Sequence, residues 1–156
     1  MMDAKLKQES PPDPARKEAM RLLAQATLEE LTTVWEALGE KPGVHPVRGP
    51  ETGLVMVRGR IGGGGDPFNL GEATVSRATI RLSTGEIGHG QLLGTDRQRA
   101  RLGAIFDALS QRDGNKADVE ALLRRVAERL AQEERRKAEE TAATRVDFFT
   151  MVRGED

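Results

Sequence analysis

Apolar positions recur along the chain in two different periods. Near the start, Ala19, Met20, Leu23 and Ala26 share one helical stripe, and Leu28, Leu31, Val34, Trp35 and Leu38 share a second. Asp13 stands where a helix N-cap accepts a backbone N–H, with Pro14 at the first helical position, where a missing N–H costs nothing. Thr27 and Glu30 have the spacing of a capping box, and Gly39 stops the second stripe. The pattern predicts two packed helices, with Trp35 a packing residue of the second rather than a ligand platform.

The middle of the chain changes period. Leu54 to Ile61 and Ala73 to Leu82 are rich in β-branched and apolar residues and predict strands. Ser83-Thr84-Gly85 predicts a turn, after which Glu86 to Leu93 returns as the second half of a hairpin. Between the first two runs lies Gly62-Gly63-Gly64-Gly65-Asp66-Pro67, where no regular element is expected.

Helical spacing then resumes. Thr95 and Gln98 form a second capping-box pattern, Leu102, Ile105, Phe106 and Leu109 a stripe, and Asp113-Gly114-Asn115 an expected stop. A longer helix is predicted from about Asp118, with Val119, Leu122, Leu123, Val126 and Leu130 on one face. Past Ala131 the stripe thins to alanines, and Glu133–Lys137, Arg135–Glu139 and Arg136–Glu140 are pairs that support a solvated helix. The end, Arg145 to Gly154, reads as extended. The expected class is α+β: a small antiparallel sheet from the glycine-rich middle, packed with N-terminal and C-terminal helices, and an extended C-terminal segment. Residues 1–12 read as a flexible tail and 13–156 as one domain.

Composition narrows the chemistry. The 156 residues carry a formal net charge of −1, which argues against binding nucleic acid or a membrane surface through bulk charge. Cysteine is absent, which excludes disulfides, thiol nucleophiles and iron–sulfur clusters held by this chain. Tyrosine is absent too, so the core must be mostly aliphatic. The first residues are mixed in charge and contain no apolar h-region, and no run is long enough to span a bilayer; a cytoplasmic protein is the expectation.

Fourteen of the 17 glycines lie between Gly39 and Gly94. The run from Gly62 offers free backbone N–H groups to phosphate, yet neither a Gly-Lys-Ser/Thr nor a helix start follows it, so a plain flexible connection remains open beside phosphate binding. Gly88, Gly90 and Gly94 approach the dinucleotide fingerprint but miss its spacing. Arginine placement adds a candidate. Arg58 and Arg60 share one face of the first predicted strand, and Arg77 and Arg81 share one face of the second. If those faces coincide, four guanidinium groups meet and suit a polyphosphate or an acidic partner; a solvated sheet face is the competing reading. His45 and His89, even with Glu51 or Asp96, make a thin metal site, and none is expected. No serine sits in a nucleophile elbow. The last ten or so residues hold Phe148 and Phe149, half of the four phenylalanines. Such an apolar end calls for burial, in the chain's own sheet or in another subunit.

Several of these segments resemble a known family. Glu51-Thr52-Gly53-Leu54-Val55, the stretch Arg60 to Gly63, and Phe68-Asn69-Leu70-Gly71-Glu72-Ala73-Thr74-Val75 are similar to the middle of PhnG, a small subunit of the bacterial carbon–phosphorus lyase core complex. The likeness continues through Arg77, Arg81-Leu82 and Gly85 to Asp107-Ala108-Leu109. The ending Arg145-Val146-Asp147-Phe148-Phe149-Thr150-Met151-Val152-Arg153-Gly154 resembles that family's most distinctive segment. Gly64 stands where the family pattern has threonine, and Gly94-Thr95-Asp96 where it has Gly-Arg-Asp.

The resemblance implies a subunit that assembles with PhnI, PhnJ and PhnH, with the ATP-binding-cassette proteins PhnK and PhnL as further partners. It implies a part in making α-D-ribose 1-methylphosphonate 5-triphosphate, in which methylphosphonate displaces adenine from the ribose of ATP. ATP is then a substrate of the complex, and this chain holds no cofactor and no catalytic residue of its own. The expected role is accessory, with triphosphate binding by Arg58, Arg60, Gly62, Gly63, Arg77 and Arg81 as the alternative. The expected subunit interface is Arg145, Val146, Asp147, Phe148, Phe149, Met151 and Arg153.

Overall fold

A computed structural model describes the backbone of residues 13–152 and the side chains of 13–144. The tail 1–12 expected from the sequence lies outside the described residues. The element order is α1 (Pro14–Gln25), α2 (Leu28–Ala37), β1 (Val44–Arg60), a 3-10 turn (Ile61–Gly63), β2 (Pro67–Leu82), β3 (Ile87–Leu93), α3 (Arg97–Leu109) and α4 (Asp113–Val152). The three strands form an antiparallel sheet in the order β1-β2-β3, so the α+β class holds.

Both N-terminal caps form as their residues dictate. The Asp13 carboxylate accepts the Ala15 N–H at 3.0 Å. Thr27 and Glu30 exchange hydrogen bonds as a full capping box. The end of α1 is closed from outside. Arg99 of α3 donates to the carbonyls of Ala24 and Ala26, and Arg129 of α4 to that of Gln25, filling acceptors a helix end leaves free.

α3 lies at the centre. One side carries Leu102, Ile105, Phe106 and Leu109 into a core shared with Leu22, Leu23, Leu31 and Val34 of α1 and α2, and with Val119, Leu122 and Val126 of α4. Its opposite side is made of small residues and sits against β3. A Cβ built at Gly88 would collide with the carbonyl oxygen of Ala104, and one at Gly90 with that of Ala100. The glycines that approach a dinucleotide fingerprint therefore have a packing reason: helix and strand backbones meet there without side chains between them. Gly94 follows at φ +105°, where β3 ends and the chain turns toward α3.

Five boundaries differ from the sequence reading. β2 starts at Pro67 and not at Ala73, because it stays paired with β1 to the end of that strand. α3 is capped by Asp96, whose carboxylate accepts the Arg99 N–H at 2.9 Å, and not by Thr95. α3 ends before Ser110, and Asp113-Gly114-Asn115 opens α4 instead of stopping α3. The first strand begins ten residues earlier than expected, through Pro46 and Pro50, because register shifts on either side of Arg48 absorb those residues at the sheet edge. The backbone of α4 stays helical to Val152, where an extended segment was expected. A backbone already helical through the charged stretch gains one hydrogen bond per added residue, which outweighs the weak β preference of Val146, Phe148 and Phe149.

Candidate functional site

The β1–β2 hairpin is much longer than the core that supports it. β3 pairs only with Val75 to Arg81 of β2, whereas β1 follows β2 back to Pro67. The core ends at a polar clamp. Thr52 and Ser76 share a hydrogen bond of 2.9 Å, the Ser76 hydroxyl donates to the Gly94 carbonyl at 2.8 Å, and Arg97 donates to Thr52 Oγ1 at 3.1 Å. Beyond the clamp the ribbon from Gly53 to Arg60 extends for about 25 Å at the usual rise per strand residue.

This register decides the fate of the four arginines. Arg58 is opposite Asn69 and Arg60 opposite Pro67, near the far end of the ribbon. Arg77 is opposite Glu51 and Arg81 opposite His45, within the three-stranded part. The pairs are roughly 25 Å apart along β2. They also lie on opposite faces: Arg58 and Arg60 alternate in phase with Thr52, on the side α3 covers, and Arg77 and Arg81 with Glu51, on the open side. One chain does not bring the four guanidinium groups together. Even strand spacing correctly pairs Arg58 with Arg60 and Arg77 with Arg81; the cross-strand register, which one strand's sequence does not carry, separates the pairs.

Arg77 is also occupied. It donates to Glu51 Oε1 at 2.7 Å, and Arg48 donates to the same oxygen at 2.8 Å. The Arg77 hydrogen bond, with that of Arg48, holds the Glu51 carboxyl below the ordinary glutamate value. Gly62 and Gly63 form the ribbon's tip with φ of +62° and +76°, a left-handed turn that suits glycine and leaves both fully outside the core.

The open face of the sheet also carries His45 and His89. His45 lies in β1. His89 lies opposite Thr79 and its Nδ1 is 3.1 Å from the Thr79 hydroxyl. Glu51 is engaged by arginines and Asp96 caps α3, so neither joins the histidines, and no group of three metal-ligating side chains forms among the described residues. A groove of about 350 Å³ lies between α1 and the β3 edge, lined by Met20, Leu23, Ala24 and Leu93. Two of its cations are spent locally: Arg21 pairs with Glu18, and Arg99 holds carbonyls of α1.

One buried acid escaped the sequence reading. Asp107 of α3 is 1% exposed and accepts three hydrogen bonds, from Arg16 Nε at 3.0 Å, Arg16 Nη2 at 2.8 Å and the His89 N–H at 2.8 Å. It ties α1, α3 and the outer edge of β3 together. Its position between Phe106 and Leu109 of the apolar stripe was the available signal, since a lone carboxylate in a buried helix needs a cation.

The side chains of Arg145, Val146, Asp147, Phe148, Phe149, Met151 and Arg153 lie outside the described residues. No described helix is long and apolar enough to cross a membrane.

Comparison with known proteins assigns the family. The family model for the phosphonate metabolism protein PhnG matches residues 14–154. The chain belongs to the PhnG family. It is 72% identical, over all 156 residues and the whole of both chains, to a Rhizobium meliloti (strain 1021) protein named alpha-D-ribose 1-methylphosphonate 5-triphosphate synthase subunit PhnG. PhnG membership covers the helices and the hairpin alike, including α1, α2 and the charged stretch of α4.

Proposed function

We propose that this chain serves as the PhnG subunit of an α-D-ribose 1-methylphosphonate 5-triphosphate synthase in organic phosphonate catabolism, in an assembly or accessory role. The single observation that carries this reading is the end-to-end identity of 72% with a protein bearing that subunit name. The reaction breaks the bond between ribose C1 and adenine in ATP and forms one from C1 to a methylphosphonate oxygen, so adenine leaves and the triphosphate stays. The partners proposed are PhnI, PhnH and PhnJ, with PhnK and PhnL as ATP-binding-cassette associates, in the cytoplasm. The C-terminal residues Arg145 to Arg153 remain a proposed contact with them, and Arg58, Arg60, Gly62 and Gly63 a proposed phosphate contact should the hairpin tip reach the ATP site of a partner.

The test is reconstitution with one component omitted. PhnI, PhnH and PhnL, supplied with ATP and methylphosphonate, should release adenine coupled to ribosyl-phosphonate formation only when this chain is present. The chain alone should release none. Coupled product at an undiminished rate without the chain would end the reading, and turnover by the isolated chain would replace the accessory role with a catalytic one.

A further inference from the structure

The hairpin beyond the Thr52–Ser76 clamp leaves apolar side chains uncovered on both of its faces. On the open side are Val55, Val57, Phe68 and Leu70; Leu70 crosses to lie over Gly59, where an added Cβ would meet its Cδ1 at 2.6 Å. On the other side Leu54 and Met56 are 64% and 57% exposed, beyond the reach of α3. Together these side chains leave large apolar groups in water on both faces of one ribbon, and exposed apolar surface of this kind marks an interaction site. Both edges are bare as well. β3 ends at Leu93, opposite Val75, and the Gly94 N–H still reaches the Thr74 carbonyl. From Ala73 to Pro67 the outer N–H and C=O groups of β2 therefore have no neighbouring strand, and β1 is an edge throughout. Proteins usually blunt such edges or cover them.

We infer that this arm, Gly53 to Ala73, is a docking element that inserts into an apolar cleft of a different subunit, with carboxylates of that subunit facing Arg58 and Arg60. This rests on reading the chain as one subunit of a hetero-oligomer. The occupant follows from how the arm's surface is divided. A second copy packing arm on arm about a two-fold axis covers one face only. If it covers Val55, Val57, Phe68 and Leu70, it leaves Leu54 and Met56 in water. If it covers Leu54 and Met56, it sets the Arg58 and Arg60 pairs of both copies in one interface. A cleft that encloses both faces leaves neither penalty. Neither Arg58 nor Arg60 forms an ion pair with any described residue, so both guanidinium groups are open to bidentate pairing with a partner's carboxylates.

Hydrogen exchange of the full-length chain tests this, alone and in a complex purified after co-expression with PhnI, PhnH and PhnJ. The arm amides should exchange at least tenfold more slowly in the complex, while amides of α3 change little. The double variant Val57→Asp, Leu70→Asp should lose at least tenfold of the recovered complex yet keep the thermal midpoint of the isolated chain, because neither side chain enters the core. Alanine at Arg58 and Arg60 should weaken capture, and the loss should shrink as added salt screens the parent's ion pairs. A stable complex whose arm exchanges as in the free chain would overturn the docking role and leave the subunit reading standing. Arm protection in the isolated chain that rises with its own concentration would overturn the choice of partner in favour of a second copy. No complex with the unmodified chain would overturn the subunit reading and the docking role with it.

Discussion

Asp107 and the β3 glycines show what single residues contribute here. Replacing Asp107 with alanine strands the His89 N–H and the Arg16 guanidinium; Arg16 is partly solvated, so the expected loss is about 2–3 kcal/mol in urea unfolding. Arg16→Ala should cost at least as much, because it leaves the buried Asp107 carboxylate without its cation, held by the His89 N–H alone. Gly90→Ala drives a methyl into the Ala100 carbonyl of a buried helix and should cost about 3 kcal/mol or more. Gly53→Ala, with nothing within 4 Å and no positive φ, should change stability little. At this scale the two N-terminal caps were legible, since Asp13, Thr27 and Glu30 act on backbone one turn away, whereas the α3 cap was misplaced by one residue, Asp96 taking the place expected for Thr95. Asp107 and Gly90 were not legible, because their partners, Arg16 and Ala100, are remote in sequence and only the fold brings them close.

Elements depend on such remote pairs for their arrangement. Arg129 of α4 reaches Glu30 of α2 at 2.7 Å and Glu133 at 3.0 Å, and so fixes the long helix against the helical pair. Burial pushes the Glu30 carboxyl up, but the Arg129 guanidinium, with the Thr27 capping bonds, pulls it further down, so its value in the folded chain lies below the ordinary 4.5. A carboxyl depressed on folding adds stability that is complete above its unfolded value and fades as the pH falls through the folded one. The chain should therefore lose stability on acidification from about 4.5 downward. In Glu30→Gln the stability above that range should drop, and the part of the acid dependence owed to this residue should vanish from unfolding midpoints measured across pH. The strands were legible in kind and not in extent. Pro46, Gly49, Pro50 and Gly53 read as breaks, yet an edge strand tolerates them through register shifts. The start of α4 at Asp113 was hidden by Asn115 and Gly114, which are stop signals unless a cap precedes them.

For the whole molecule, the helices, α3 and the sheet base form a core, and two elements leave it: the hairpin past Thr52–Ser76 and α4 past Ala131. The apolar end at Phe148 and Phe149 was readable in composition, while the apolar arm was disguised as ordinary alternating strands. Alternation normally buries one face, and only the three-dimensional extent of α3 shows that neither face is covered beyond the clamp. Removing 55–73 and joining the paired residues Leu54 and Thr74 through Asn-Gly should leave the unfolding midpoint of the isolated chain within a few degrees of the parent, because no residue of that span contributes to the core. The same deletion should abolish assembly.

The most direct test of the account is native mass measurement after co-expression with PhnI and capture through a tag on PhnI. The account predicts a defined particle that contains this chain, and its loss when Val57 and Leu70 are changed to aspartate. A folded, monodisperse chain that passes through without PhnI would contradict it.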